Sequence, residues 1–304
     1  MAQATTPTWR DISLDDLRSV LQTPGASDNK YTRGVVLLAT GSQTYPGAAV
    51  LSAQAAGRAG AGMIRYTGPE RVGRAVLAAR PEVVRGLGRC DSLVIGSGIP
   101  DIREDERQEL MPKPRRSAYP AVVDAGALTF VTPGLSETVI TPHAGELAAL
   151  FKRLEISELS REDIEADPAH AASLAADALR CTVLLKGAAT HVASADARFR
   201  VVAPTSWLST AGTGDVLAGL LGSILAARHA RGEDANLALD AAAAVWLHGR
   251  AGWLAAQRNA GAQPPHAAMC APAEELLAGP IGAPILALDV AEAIPTVIAA
   301  VLAR

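Results

Sequence analysis

The sequence predicts one α/β domain in which a mostly parallel sheet lies between two layers of helices. Short, continuous apolar runs rich in Val, Ile and Leu alternate with Ala-rich segments of helical length, and a strand that is covered on both faces is typically such an unbroken run. The chain has 304 residues, of which 49% are hydrophobic, enough for a large core. No internal repeat or Pro/Ser linker divides it, so we expect an N-terminal leader at 1–33 and a single domain at 34–304.

The leader is polar and rich in turn-forming residues, with one short helix expected at Ser13–Leu21 because serine is a favoured first cap. The predicted strands that follow are glycine-bounded or β-branched apolar runs. In order they are Gly34–Ala39, Met63–Tyr66, Ser92–Gly96, Ala121–Asp124, Glu137–Thr141, Thr182–Gly187 and a strand or hairpin at His191–Ala203.

Helical segments separate these strands, which implies right-handed strand–helix–strand units. The predicted helices are Ala48–Ala59, Pro69–Ala79, Gly145–Leu154, Pro168–Leu179, Val216–Ala227, Leu237–Ala255 and Leu288–Leu302. Residues 256–282 are rich in Gly, Pro and Ala, and we expect them to form a loop.

Composition argues against several classes of protein. The formal net charge is -3 and the basic residues are scattered, so we expect no nucleic-acid partner and no anionic membrane surface. Three widely spaced cysteines form neither a disulfide framework nor a zinc motif. No secretory signal opens the chain, and the longest apolar run, Val216 to Ala227, is too short to span a bilayer. These features favour a cytoplasmic protein with small-molecule partners.

The turn Gly212-Thr213-Gly214-Asp215 stands directly before a strongly apolar helix. Two alternating glycines allow successive N–H groups to point at a helix N-terminus, an arrangement that attracts anionic oxygens. An ionised Asp215 within this ring of donors is suited to take a proton from a substrate hydroxyl while the amides hold a phosphoryl group. The alternative is that Asp215 merely caps the helix. No Walker A motif is present.

Two further segments follow predicted strands, where polar residues meet the ligand crevice of an open α/β sheet. Thr141-Pro142-His143-Ala144-Gly145-Glu146 is the first, in which His143 and Glu146 are either site residues or ordinary turn and first-turn residues. In the second, Lys186 precedes the small residues of Gly187-Ala188-Ala189-Thr190 and suits a nucleotide phosphate, although a solvated strand-end lysine is the alternative. Ile95-Gly96-Ser97-Gly98 is too common to specify a ligand alone.

Taken together and in this order, the motifs resemble the ADP/ATP-dependent NAD(P)H-hydrate dehydratase family of the ribokinase-like superfamily. The resemblance runs from about Tyr31 to the C-terminus. The matching segments are Arg33–Val36, Gly41-Ser42, Tyr45–Ala48, Arg58–Gly62, Val94–Gly98, Val123–Leu128, Thr141–Glu146, Leu185–Thr190, Gly212–Gly219 and Leu247–Gly249.

The resemblance implies a ribokinase-like three-layer fold and a repair enzyme for the S form of hydrated NADH or NADPH. A nucleotide phosphoryl group converts the ring hydroxyl into a phosphate ester, and loss of phosphate restores the cofactor. Asp215 would be the base, with Gly212, Thr213 and Gly214 as its anion-binding neighbours. Ala48, Gly98, His143 and Asp215 would contact the hydrated cofactor. Lys186, Gly187, Ala188, Ala189, Thr190 and Gly214 would contact ADP or ATP, and Glu146 would organise Mg²⁺ through water.

Two positions depart from the family pattern: Gly126 stands where an aspartate is common, and Ala189 stands where glycine is common. The family's epimerase domain, often fused, does not fit into 33 residues, so we expect a separate epimerase. Relatives in bacteria resemble ADP users. The Ala-rich helices suit a homo-oligomer, a tetramer being one form.

Two other functions remain open at the level of sequence. A ribokinase-like kinase of a small sugar or vitamin alcohol would use Asp215 in the same way but release a stable phosphoester. His143 stands where such kinases tend to have asparagine, which favours the dehydratase. A nucleotide-binding regulator without turnover is the third alternative, and the presence of Asp215, Lys186 and Glu146 together argues against it.

Overall fold

The structure is a computed structural model that describes residues 7–21, 23–100, 119–233 and 236–303. Its strands are β1 Trp9–Arg10, β2 Val35–Ala39, β3 Met63–Tyr66, β4 Val84–Arg85, β5 Ser92–Ile95, β6 Ala121–Val123, β7 Thr138–Ile140, β8 Thr182–Leu185, β9 Ala189–Ala193 and β10 Arg198–Val202. Its helices are α1 Leu14–Val20, α2 Pro46–Arg58, α3 Glu70–Ala79, α4 Ala144–Arg153, α5 Arg161–Ala166, α6 Pro168–Leu179, α7 Thr213–Ala230, α8 Leu237–Asn259, α9 His266–Met269, α10 Ala273–Leu277 and α11 Ala287–Leu302, with a 3₁₀ helix at Ala125–Phe130.

Within the described residues the strands form one ten-stranded sheet in the order β1-β10-β9-β8-β7-β6-β5-β2-β3-β4. Neighbouring strands are parallel except around β9, which runs antiparallel to both β8 and β10. Of the two forms predicted for His191–Ala203, a strand or a hairpin, the hairpin is present, as β9 and β10. All the parallel strands from β2 to β8 end at one edge, which becomes the functional edge of the sheet.

Alternate residues of the strands face two different helical layers. Val94, Val122 and Leu184 pack into a core that contains α2, α7, α8 and α11. Ile140 and Val183 face the opposite side and pack against α4, α5 and α6. This alternation makes the three layers of the predicted α/β/α sandwich, and the predicted fold class is confirmed.

The described part of the predicted leader packs on the domain. Trp9 and Arg10 pair in parallel with Arg198 and Phe199 of β10 and so extend the sheet. Ser13 caps α1 as expected, through a reciprocal capping box with Asp16. Leu17 on α1 is fully buried in the main core. The division at residue 33 stays a prediction, and residues 1–6 lie outside the described part of the chain.

Several elements differ from the sequence prediction. Residues 256–282 were expected to be a loop but include α9 and α10, because Met269 and Leu276 are buried and anchor these short turns. The edge strands β1 and β4 are two residues long, and α5 has six residues, too short for a periodic pattern. Helix α7 begins at Thr213 rather than Val216, which places Asp215 inside its first turn.

The Ala-rich helix α8 lies in the interior of the chain itself. Every residue from Leu237 to Gln257 is buried, so its apolar surface is already covered within one copy. The predicted homo-oligomer therefore stays a prediction without support from this helix. Across the described residues, none of the helices combines the length and apolar character required to cross a bilayer.

Candidate active site

Four polar side chains stand immediately beyond the carboxyl ends of neighbouring parallel strands. Ser97 follows β5, Asp124 follows β6, Thr141 follows β7 and Lys186 follows β8. These strand ends are adjacent in the sheet, which is where an open α/β sheet presents its ligand crevice. The topology therefore gathers residues that are up to 89 positions apart in the chain, from 97 to 186.

Asp124 is the centre of this group and is 4% exposed. Its Oδ1 accepts hydrogen bonds from Lys186 Nζ at 2.9 Å and Thr141 Oγ1 at 2.7 Å, and its Oδ2 accepts one from Ser97 Oγ at 2.8 Å. Burial works to raise the pKa of Asp124, but the Lys186 charge and the three hydrogen bonds outweigh it and lower that pKa. Asp124 is thus a buried, ionised carboxylate.

Lys186 joins Asp124 to the next segment along the sheet. Its Nζ lies 3.8 Å from Glu146 Oε2, and its backbone N–H donates to the Pro142 carbonyl at 2.8 Å. Burial works to lower the pKa of Lys186, but the charges of Asp124 and Glu146 raise it. The ammonium therefore stays charged and fixed in place. It is not the solvated strand-end lysine of the alternative interpretation.

His143 and Glu146 form a capping box at the start of α4. The His143 Nδ1 accepts a hydrogen bond from the Glu146 N–H at 3.2 Å, and Glu146 Oε2 accepts one from the His143 N–H at 2.8 Å. The first-turn role that the sequence left open is thus present. The His143 side chain is nonetheless 60% exposed, so its ring also faces the crevice solvent beside Lys186.

Asp215 is the third residue of α7. The helix is capped by Gly212, whose φ of 89° is left-handed, and no side chain caps it, so the Asp215 carboxylate is not the N-cap of the alternative interpretation. Burial, followed by the nearby Asp124 charge, raises the pKa of Asp215 to about 6, against the opposing effect of Lys186. A carboxylate with this pKa is a better proton acceptor near neutral pH than an ordinary aspartate.

The first turn of α7 is held from both sides. The His248 Nε2 lies 2.9 Å from the Thr213 carbonyl oxygen, and burial lowers the pKa of His248 to about 4, so the ring is neutral and donates this bond. On the other side, Ser52 Oγ donates to the Asp215 carbonyl at 3.3 Å and to the Ala48 carbonyl at 2.9 Å. The Thr213 N–H donates to the Thr210 carbonyl at 3.4 Å, whereas the amides of Gly214 and Asp215 lack acceptors within the helix and are free to bind an anion.

The remaining predicted contacts lie on either side of this centre. Gly98 has φ of 67° and stacks on Ala48, which is 6% exposed, so that any side chain at 98 would collide with the Ala48 methyl. Gly187 and Ala188 form the turn after Lys186. Ala189 and Thr190 belong to β9, where they pair with Val202 and Val201. Residues 187–190 therefore follow Lys186 directly in the chain and lie on the side of the sheet where the antiparallel strands β9 and β10 are.

Asp124, Ser52 and His248 are site-supporting residues that sequence reasoning did not assign. The sequence places Asp124 at the end of a predicted strand, and a carboxylate directly after the apolar run Val122-Val123 is itself a signal of the crevice. Ser52 and His248 lie mid-helix and act on α7 through backbone carbonyls. No local pattern marks such contacts.

Glu146 is the predicted organiser of Mg²⁺. In the described residues no group of three or more His, Cys, Asp or Glu side chains is arranged to hold a metal ion, and both oxygens of Asp124 already accept hydrogen bonds. Mg²⁺ usually keeps several waters and binds one or two carboxylates plus substrate phosphates. A Mg²⁺ ion here would depend mainly on the phosphates of a bound nucleotide, and Glu146, whose Oε2 lies 3.8 Å from Lys186 Nζ, is a carboxylate that could contribute through water.

Comparison with known proteins gives a consistent result. The family described as Carb_kinase, NAD(P)H-hydrate dehydratase, matches residues 36–273. A bifunctional NAD(P)H-hydrate repair enzyme of Corynebacterium glutamicum is 35% identical over 82% of this chain and 48% of its own length. An ADP-dependent (S)-NAD(P)H-hydrate dehydratase of Xanthomonas campestris pv. campestris is 34% identical over 84% of this chain and 91% of its own length. The chain spans about half the length of the bifunctional relatives.

Solved structures share the fold. The ADP/ATP-dependent NAD(P)H-hydrate dehydratase of Bacillus subtilis, co-crystallised with ATP/Mg²⁺, superposes with a TM-score of 0.73 at 24% identity, covering 96% of this chain and 98% of its own. A ribokinase-like superfamily protein of Enterococcus faecalis gives a TM-score of 0.71 at 22% identity, covering 96% and 95%.

Proposed function

Because the chain belongs to the NAD(P)H-hydrate dehydratase family, we propose that it dehydrates the S form of hydrated NADH or NADPH with ADP or ATP as phosphoryl donor. The relative from Xanthomonas campestris bears the ADP-dependent activity in its name. The observation that carries the proposal is Asp215, a carboxylate whose pKa is raised to about 6 at the amide-rich start of α7.

In the proposed first step, Asp215 takes the proton from the ring hydroxyl, and the hydroxyl oxygen attacks the terminal phosphorus of the nucleotide. The oxygen–phosphorus bond forms, and the bond to the leaving nucleotide breaks, so that ADP would become AMP. The amides of Gly214 and Asp215 would bind the transferring phosphoryl oxygens, and the fixed Lys186 ammonium would offset their negative charge. Mg²⁺ would supply further neutralisation of the nucleotide phosphates near Glu146.

In the second step the ring nitrogen lone pair expels phosphate from the ester carbon. Loss of a proton from the neighbouring ring carbon then restores the double bond of the reduced nicotinamide. Phosphate is a far better leaving group than hydroxide, which is why the phosphoryl group is used. The net result is one hydrated cofactor converted to its active form for each phosphate released.

The proposed ligand contacts follow the predicted ones. Ala48, Gly98 and His143 would contact the hydrated ring together with Asp215, and Lys186 to Thr190 with Gly214 would contact the nucleotide. An NAD(P)H-hydrate epimerase that interconverts the R and S hydrates is the expected pathway partner. Cytoplasmic location and a homo-oligomeric state complete the proposal.

The deciding experiment mixes the purified protein with hydrated NADH or NADPH, Mg²⁺ and either ADP or ATP, with a control that lacks nucleotide. We expect a nucleotide-dependent rise in near-ultraviolet absorbance and an equal amount of free phosphate. The better nucleotide identifies the donor. A stable phosphoester without reduced nicotinamide would instead indicate a small-alcohol kinase, and nucleotide binding without any product would indicate a regulator.

Gly214 permits a test of the nucleotide side without disturbing the fold. A β-carbon at Gly214 would have no atom within 4 Å, and the residue is the second of α7. We expect Gly214→Ala to leave stability unchanged or raise it by up to about 1 kcal/mol. The methyl would occupy the space of the phosphate oxygens, so we expect nucleotide affinity to fall by about tenfold, which is about 1.4 kcal/mol.

Thermal unfolding and calorimetric titration with ADP measure the two effects. Gly47→Ala is the matched control, since Gly47 is also the second residue of a helix with open space around its β-position but lies outside the proposed nucleotide contacts. Equal ADP affinity in wild type and Gly214→Ala would remove Gly214 from the nucleotide site.

A further inference from the structure

A cavity separate from the candidate active site lies between β10, the middle of α8 and the segment 270–274, next to the connection that precedes α1. Its volume is about 260 Å³. Arg250 on α8 and Arg200 on β10 line it, together with the indole of Trp246 and the thiol-bearing Cys270. None of the residues that surround Asp215 belongs to this lining, so the cavity is distinct from the proposed active site.

Arg250 is the unusual feature of this cavity. The residue is only 3% exposed, and its Nη1 is buried with no hydrogen-bond partner among the described residues. Its guanidinium carbon lies 4.9 Å from the centre of the Trp246 ring, a cation–π contact that gives Nη1 no acceptor. The carboxylate of Glu274 on the exposed rim acts on Arg250 through space, as does the sulfur of Cys270.

A buried cation without an acceptor is costly, because it has lost its hydration and gained no hydrogen bonds in return. Burial lowers the pKa of Arg250 to about 10, so the group is still charged at neutral pH. Arg198 in the same sheet is 6% exposed and its Nε also lacks a partner, but its Nη2 lies 3.5 Å from Asp177 Oδ2 and its Nη1 donates to the Pro7 carbonyl. Arg250 has no such partner within the described chain.

We propose that this cavity binds a small oxyanion, a free phosphate or the carboxylate or phosphate group of a small metabolite, with Arg250 as its anchor. The planar fork of a guanidinium matches two oxygens of such a group. Arg200 is exposed at the mouth and adds a second positive charge. The exposed carboxylates of Asp11 and Glu274 border the opening and disfavour a large polyanion, and the small volume does the same.

The test is stabilisation by an added anion, measured on the full chain with ADP and Mg²⁺ present at saturation so that the α7 turn is occupied. Inorganic phosphate and malonate are titrated separately at constant ionic strength set with sodium chloride. We expect one or both to raise the unfolding temperature by several degrees in a saturable manner. A response to phosphate alone identifies a phosphate site, and a response to malonate identifies a carboxylate site.

Arg250→Met is expected to abolish this response while unfolding at a temperature no lower than wild type without anion, since it removes an unpaired buried charge. Arg250→Lys is expected to retain a weakened response, which keeps the test decisive if the methionine variant does not fold. Arg198→Met is the matched control and should lose stability yet keep the full response. Because the readout does not use turnover, it is independent of the proposed function.

The proposal is overturned if neither anion stabilises wild type, or if Arg250→Met responds as wild type does. A change in oligomeric state of Arg250→Met, without any response of wild type to anions, would also overturn it. In that case the partner of the guanidinium is a carboxylate of a second copy rather than a small ligand.

Discussion

Replacing Asp215 with asparagine is expected to lower turnover by about a hundredfold or more while nucleotide binding is retained. The amide keeps the size of the carboxyl group but cannot accept the proton of the ring hydroxyl. The amides at the start of α7 are backbone groups and are unaffected, so ADP affinity should change little. Steady-state assays and calorimetric titration with ADP measure the two quantities.

The same substitution is expected to make the folded protein more stable at neutral pH. Folding raises the pKa of Asp215 to about 6 through burial, so between its ordinary value of 3.8 and about 6 the folded state binds more protons than the unfolded state. The carboxyl group therefore destabilises the fold increasingly as pH rises through this range. The gain in unfolding temperature of Asp215→Asn should grow from about pH 4 to pH 7 and then level off.

Asp163→Asn is the matched control for this experiment. Asp163 is also the third residue of a helix, α5, where it forms a capping box with Ser160 and is exposed. Its replacement keeps an acceptor oxygen for the Ser160 N–H and removes only a solvated charge, so stability and turnover should both stay close to wild type. Wild-type turnover in Asp215→Asn would remove this residue from the mechanism, whatever the effect on stability.

Replacing Asp124 with asparagine is expected to destabilise the fold by about 3 kcal/mol, the lower end of the range for breaking a buried ion pair. Lys186 loses its closest counter-charge, and the amide can no longer accept hydrogen bonds from three donors at once. Urea unfolding at neutral pH measures the loss. The expected cost is larger than that of any surface carboxylate because both partners are largely buried.

Asp124→Asn should also alter the pH dependence of turnover. Burial and the Asp124 charge raise the pKa of Asp215, and Lys186 lowers it, so removal of the Asp124 charge leaves burial alone to oppose the lysine effect. The pKa of Asp215 then falls, and the acidic limb of the pH–rate profile moves to lower pH. This shift separates an electrostatic role of Asp124 from a purely structural one.

Ser97→Ala and Thr141→Val are the controls, since each removes one neutral hydrogen bond to Asp124 and leaves its charge in place. We expect each to cost about 1 kcal/mol without moving the acidic limb to lower pH. If Asp124→Asn unfolds like wild type and keeps its pH profile, Asp124 is not the organising residue of the site.

Local patterns predicted much of this molecule because they depend on near neighbours in the chain. Val35–Ala39 is a continuous apolar run and becomes a central strand buried on both faces. Ser13 begins α1 through a cap whose partner is three residues away. The glycines of the Gly212–Asp215 turn set a left-handed residue directly before α7. Such features follow from backbone sterics and short-range hydrogen bonds, and no distant contact is needed to form them.

Elements whose stability comes from distant partners escaped the sequence prediction. The strand Trp9–Arg10 forms because it pairs with β10, which lies almost two hundred residues later in the chain. The short helices α9 and α10 form because the side chains of Met269 and Leu276 are buried. None of these segments is long enough to show a repeating apolar pattern, because its stability comes from tertiary packing and not from local propensity.

The sequence by itself determined the α/β class, the family and the residue types Asp215, Lys186, Glu146 and His143 at the ends of strands and helices. Only the tertiary structure decided which of them meet and how they are charged. Asp124, Thr141 and Lys186 become one hydrogen-bonded group because parallel strands end side by side. The raised pKa of Asp215 and the unpaired charge of Arg250 likewise arise from burial, which depends on every element packed around a group and is not encoded in its neighbours along the chain.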